Sequence, residues 1–210
     1  MNDAARRESS RRLFVAIELS EAWKQALASL QRAMQAALLA DQRTIGVRVR
    51  WVGPEGVHLT LKFLGEVPER RLGAIDAALR SAVPASLGIE LAMGLVGSFG
   101  DRHAPRVIWA GIAEQGAPGR DSHLLQLVER IETWLQAAGF AREKRSFAPH
   151  LTLGRLPETL SPVSREAVAA VTCAVDPPEP ALLAVEHVAL IQSHLGPGGA
   201  RYERLFAYPA

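Results

Sequence analysis

Two tetrapeptides in this chain are identical. His58-Leu59-Thr60-Leu61 and His150-Leu151-Thr152-Leu153 stand 92 residues apart. Apolar residues fill alternate positions, and Gly53, Pro54 and Gly65 flank the first copy as Pro149 and Gly154 flank the second. That pattern predicts a short strand at each place. Residues i and i+2 of a strand share a face. Each copy therefore presents an imidazole and a hydroxyl together and sends its two leucines the other way, into a core. Histidine titrates near neutral pH. Two imidazoles on opposite sides of a substrate can work as a pair, one taking a proton from the nucleophile and one giving a proton to the leaving group. Phosphoryl transfer at a ribose 2′,3′-cyclic phosphate, in which one P–O bond breaks as another forms, needs such a pair, and a hydroxyl beside each imidazole can hydrogen-bond a non-bridging phosphate oxygen.

The charge at phosphorus also calls for a cation. Arg155 follows the second motif, and a guanidinium binds phosphate oxygens bidentately. In a regular strand, however, Arg155 would lie on the face opposite His150 and Thr152. It reaches their face only if the strand bulges at Gly154 or if the side chain bends around the strand end. Lys62 has the same parity as His58 and Thr60 and is the alternative cation. Two histidines could also ligate zinc, but a third ligand is usual and neither motif has a carboxylate within its strand. No metal and no cofactor are expected. His103, His123, His187 and His194 lack the motif and are read as surface, loop or strand positions, with His194 near a glycine turn that could face the site. Arg48, Arg50, Arg142, Lys144 and Arg145 are candidates for a basic rim that contacts RNA phosphates. Trp51, Phe147 and Tyr202 are candidates for stacking on a terminal base, against the plainer alternative of core packing.

The elements that must position these residues form an α+β pattern. Leu13–Leu19 reads as a buried strand, and Ser20 caps a helix over 21–40 whose Trp23, Leu27, Leu30, Met34 and Leu38 recur at helical spacing. Ile45, Val47, Val49 and Trp51 alternate as a strand over 45–52. After the first histidine strand (57–64), a helix begins near Pro68. Ile89–Leu95 is a strand, Gly97, Gly100 and Pro105 mark a loop, and Arg106–Ile112 is a strand. Asp121 or Ser122 starts a helix ended at Gly139. The second histidine strand (150–156) and a helix near 164–173 follow, and Val185–Ile191 with Tyr202–Tyr208 closes the chain as a hairpin. Several links are too short for a parallel crossover, so the sheets are mainly antiparallel.

Composition sets the outer limits. The 210 residues are 48% hydrophobic and 22% charged, which suits a globular protein with a core, and a net charge of +2 does not by itself argue for nucleic acid. The single cysteine, Cys173, excludes an internal disulfide and suits a reducing cytoplasm. No apolar run approaches a membrane span, and the arginine-rich N-terminus lacks the apolar core of a secretory signal. Residues 1–11 are read as a flexible tail and 12–210 as one bilobal domain.

The paired motifs resemble the 2H phosphoesterase superfamily, and more closely the RNA 2′,3′-cyclic phosphodiesterases, also called 2′-5′ RNA ligases. The likeness covers nearly the whole chain beyond the tail. It runs through Arg12–Ile17, Trp51-Val52, His58–Gly65, Pro105–Trp109, Phe147–Arg155, Ser193 and the Gly199–Tyr202 turn. The resemblance implies a bilobal α+β fold, two mainly antiparallel sheets with outer helices around a central cleft. It implies hydrolysis of an RNA-terminal 2′,3′-cyclic phosphate to a 2′-phosphomonoester without metal. It makes His58 the proton donor and His150 the proton acceptor, with Thr60, Thr152 and Arg155 binding the phosphate. The expected partner is RNA, acted on by a monomer with no membrane attachment and no obligate protein partner. Alternative activities are 2′-5′ ligation or the opening of another small cyclic phosphate. A non-catalytic RNA-end binding module is the alternative from a different class.

Overall fold

The computed structural model describes residues 9–101, 104–116, 122–196 and 199–209. Nine strands and four α-helices are assigned among them: β1 (Ser10–Glu18), α1 (Glu21–Ala40), β2 (Arg50–Trp51), β3 (His58–Pro68), α2 (Leu72–Ala82), β4 (Glu90–Asp101), β5 (Ala104–Glu114), α3 (His123–Ala137), β6 (His150–Arg155), α4 (Pro162–Cys173), β7 (Leu183–Ala184), β8 (Val188–Gly196) and β9 (Gly199–Tyr208). They make two sheets, one in the order β3-β1-β8-β9 and one in the order β2-β6-β5-β4-β7. Every strand pair among the described residues is antiparallel. Helices α2 and α3 pack on each other and reach β9 and β3 of the first sheet, while α4 packs on β4, β5 and α1 beside the second. The fold class is α+β, as expected from the short links.

One core runs under both sheets. Leu13, Val15 and Ile17 of β1, Leu59 and Leu61 of β3, and Leu151 and Leu153 of β6 are all buried in it with the inner faces of α1, α2 and α3. The leucines of both tetrapeptides are thus the anchors that hold the histidine strands. Helix α1 follows its predicted limits: the Ser20 hydroxyl accepts the Trp23 backbone N–H, and the stripe from Trp23 to Leu38 is buried. Ser122 caps α3 in the same way, and Gly139 ends it at φ 84°.

Four expectations are corrected. Strand β1 starts at Ser10, inside the segment read as tail, because Ser10 and Arg11 pair with Pro68 and Val67, and Arg11 bonds Glu69 and Gln192. The strand expected over 45–52 is paired only at Arg50 and Trp51; Gly46 turns at φ 79°, and Val47 and Val49 pack on the core from irregular backbone. Gly97 and Gly100 lie within β4 and Pro105 within β5, not in a connecting loop. The closing hairpin begins at Val188 rather than Val185, and the preceding Leu183–Ala184 pairs with β4 instead. Asp121 and His103 lie outside the described residues. No helix among the described residues is long and apolar enough to cross a membrane.

Candidate active site

His58 opens β3 and His150 opens β6. Backbones of these strands come within 8 Å between Cα atoms, where the two sheets meet. Cross-strand register fixes the face each side chain takes, because residues directly opposite in an antiparallel pair project the same way. Across β1, Glu18 is opposite His58, Ala16 opposite Thr60 and Phe14 opposite Phe63. Across β5, Gly111 is opposite His150, Trp109 opposite Thr152 and Val107 opposite Arg155. The partners alternate regularly in both cases. His58, Thr60 and Phe63 therefore share the open face of the first sheet, and His150, Thr152 and Arg155 share the open face of the second.

This register resolves the parity problem of Arg155. Ile108 pairs with Gly154 and the next residue, Trp109, pairs with Thr152, so Leu153 is an extra residue in β6. A bulge of this kind re-aims the residues after it. Leu153 and Gly154 are both buried, and Arg155 turns back to the face of the histidine and is exposed. The extra carbonyl of Leu153 accepts the Val52 backbone N–H at 2.9 Å and the buried Gln31 Nε2 at 3.0 Å. Gln31 also donates to Val52 O at 2.7 Å, so one side chain of α1 joins the bulge to the β2 segment. Its signal in the sequence is a polar residue on the apolar stripe of a helix.

The same bulge recurs in β3. Val15 pairs with Lys62 and Ala16 with Thr60, leaving Leu61 unmatched, again 92 residues before its counterpart Leu153. Here the consequence is the reverse of the expectation. Lys62 turns inward, is buried, and donates to Glu132 Oε2 at 2.8 Å and Ala141 O at 2.6 Å. It ties β3 to α3 and is not available as the alternative phosphate cation.

The two imidazoles sit in different surroundings. His150 Nδ1 donates to Ala148 O at 2.7 Å, which leaves Nε2 as the free ring nitrogen. Near His58 the backbone of Gly56, also two residues back, favours the charged ring. Phe99 meets the His150 ring edge-on at 4.7 Å between centroids. His58 lies stacked on Phe14 at 4.5 Å and against the edge of Tyr202 at 5.0 Å. Burial among these rings pushes its pKa down to about 4, opposed by the Gly56 bond and by the Glu18 carboxylate. Glu18 itself is held by Arg204 at 2.9 Å and His187 at 3.2 Å. The hydroxyls of Thr60 and Thr152 make no hydrogen bond among the described residues.

Other expected contributors separate. Tyr202 is partly exposed and packs on His58, whereas Trp51 and Phe147 pack against the core. Arg142 is neutralised by both oxygens of Glu129, and Arg145 lies near Glu143. His123 bonds Gly88 O and His194 bonds Glu203. Among the described residues no three histidine, cysteine or acidic side chains converge as metal ligands would.

The LigT like Phosphoesterase family matches residues 17–109 and 117–202, which spans both histidine motifs. The chain belongs to the LigT-like phosphoesterases. This phosphoesterase is 29% identical over 196 residues to the RNA 2′,3′-cyclic phosphodiesterase of Geobacillus stearothermophilus, a match that covers 93% of this chain but only 56% of that one. It is 27% identical over 191 residues to the protein of the same name from Methanothermobacter thermautotrophicus, covering 91% of this chain and 94% of that one. Among solved structures, TT0787 of Thermus thermophilus superposes with a TM-score of 0.69 at 26% identity, over 93% of this chain and 96% of that one. Escherichia coli LigT complexed with 3′-AMP gives a TM-score of 0.63 at 25% identity, over 95% and 98%.

Proposed function

We propose that this phosphoesterase hydrolyses an RNA-terminal 2′,3′-cyclic phosphate to a 2′-phosphomonoester by metal-free acid–base catalysis. The observation that carries the proposal is the repeat at the site: two His-x-Thr pairs on open faces, each followed by a bulge at its second leucine. The relatives named RNA 2′,3′-cyclic phosphodiesterase support the choice of substrate. His150 takes a proton from water at Nε2 as the water oxygen bonds phosphorus. His58 gives a proton to O3′ as the P–O3′ bond breaks, leaving the phosphate on O2′. Thr60 and Thr152 hold non-bridging oxygens, and Arg155 balances the charge that grows on them.

The low pKa of His58 bears on its role. In the free protein at pH 7 it is neutral, and an acid must first be protonated. A phosphate anion arriving beside the ring, added to Glu18, favours the charged form. His58 is therefore loaded with its proton as substrate binds. Hydrolysis by a monomer in a reducing cytoplasm completes the proposal.

The test is incubation with an RNA oligonucleotide ending in a 2′,3′-cyclic phosphate, with EDTA present, and assignment of the product phosphate by ³¹P NMR. A 2′-phosphate formed at an undiminished rate is expected. A 3′-phosphate, or a rate abolished by the chelator, would overturn the mechanism. Tight binding without turnover would identify an RNA-end binding module.

A further inference from the structure

Arg50 stands directly opposite Arg155 across the β2–β6 pair. The two side chains therefore project from the same face. Packing one residue along agrees: a Cβ on Gly154 would meet Val49 Cγ1 at 2.9 Å and Trp51 Cε3 at 3.1 Å. Val49 and Trp51 thus lie on the core side, and Arg50, between them in sequence, lies on the open side with Arg155, Thr152 and His150. Both arginines are exposed, and among the described residues neither makes an ion pair or hydrogen bond. Some arginines elsewhere are engaged, Arg142 by Glu129, Arg43 by Asp41 and Arg165 by backbone carbonyls; Arg48, two residues before Arg50, is exposed like it.

Two like charges directly opposite on a sheet are destabilising. An anion between them reverses the sign, because each guanidinium can hold phosphate oxygens through paired N–H groups. Arg155 is already assigned to the cyclic phosphate. Arg50 lies one strand further out, on the edge of the sheet, so it can take a second phosphate of the same ligand. We infer that Arg50 binds the phosphodiester immediately 5′ of the terminal nucleotide, so that this face recognises an oligonucleotide rather than a lone cyclic nucleotide. The inference rests on the proposed function for the identity of the ligand.

The experiment compares a nucleoside 2′,3′-cyclic monophosphate with a short RNA ending in the same nucleotide. Arg50→Gln is expected to raise KM for the RNA about tenfold, to leave kcat unchanged, and to leave both constants for the mononucleotide within about twofold. It should also lower the salt dependence of RNA binding by about one phosphate contact. Arg142→Gln, which removes an arginine already tied to Glu129, serves as the control and should change neither substrate. Equal losses on both substrates, or no loss on either, would overturn the inference. If the wild type turns over neither substrate, the proposed hydrolysis falls. Anisotropy binding of the same RNA to wild type and Arg50→Gln then decides the Arg50 contact: unchanged affinity overturns it.

Discussion

Leu61 and Leu153 are the same residue at the same step of two strands, and each is the one that has no partner across its bulge. From that shared irregularity comes the same outcome in both strands. Lys62 and Gly154 go into the core, and Phe63 and Arg155 come out on the open faces. The bulge is therefore part of the site, and Gly154 is where it is most tightly packed. Gly154→Ala would bring a methyl group to 2.9 Å from Val49 Cγ1. We expect a loss of about 1–3 kcal/mol in urea unfolding and, in the protein that remains folded, a fall in kcat/KM, because Arg155 moves with the backbone. An active, fully stable Gly154→Ala protein would count against this coupling.

The two cations should separate cleanly. Lys62→Met leaves Glu132 buried without its partner, and breaking such a pair costs about 3–5 kcal/mol. Arg155→Ala removes an exposed side chain and should change the unfolding free energy by less than about 0.5 kcal/mol. Turnover should follow the reverse order, with the folded fraction of Lys62→Met active and Arg155→Ala impaired. Paired denaturation curves and kinetics check both halves.

His58→Ala and His150→Ala should each lower kcat by about 10²–10⁴-fold, with circular dichroism showing both proteins folded. The double variant should lose little more than the worse single one, because the two groups act in one step. Full activity in His150→Ala would exclude it as the base.

Acid should weaken the fold through His58. Its folded pKa is pushed down to about 4 by burial, against an ordinary value of 6.5. Below pH 6.5 the unfolded chain takes up a proton that the folded chain does not, so stability falls as pH drops from 6.5 towards 4. The contribution is about 1–3 kcal/mol. Urea unfolding at pH 7.5 and pH 5 should show it, and His58→Phe should remove most of this difference.

Much of the scaffold was legible along the chain, and what escaped was set across it. Helix α1 could be drawn from Ser20 and the spacing of Trp23 to Leu38, since cap and stripe are both local. The two histidine strands were visible because alternation is local too. Counting parity from His58 to Lys62 failed because a bulge belongs to a pair of strands, and the first copy lacks the glycine that marks the second at Gly154. Gly97 misled for a similar reason. It lies in β4 because a Cβ there would strike the Trp109 ring of the neighbouring strand, so glycine signals a close approach and not a turn. Gln31 was hidden in a helix whose pattern otherwise asked only for apolar residues.

Phe63 and Arg155 occupy matching places in the repeat, each just past its bulge and each on the open face. On the proposed chemistry their difference has a stereochemical result. A duplicated site with like residues at both places would accept a cyclic phosphate in either of two flipped poses, and water could open either ester bond. An exposed aromatic ring at one end and a guanidinium at the other remove that degeneracy. On that chemistry this dissimilar pair would favour one pose, and with it the ribose oxygen that keeps the phosphate.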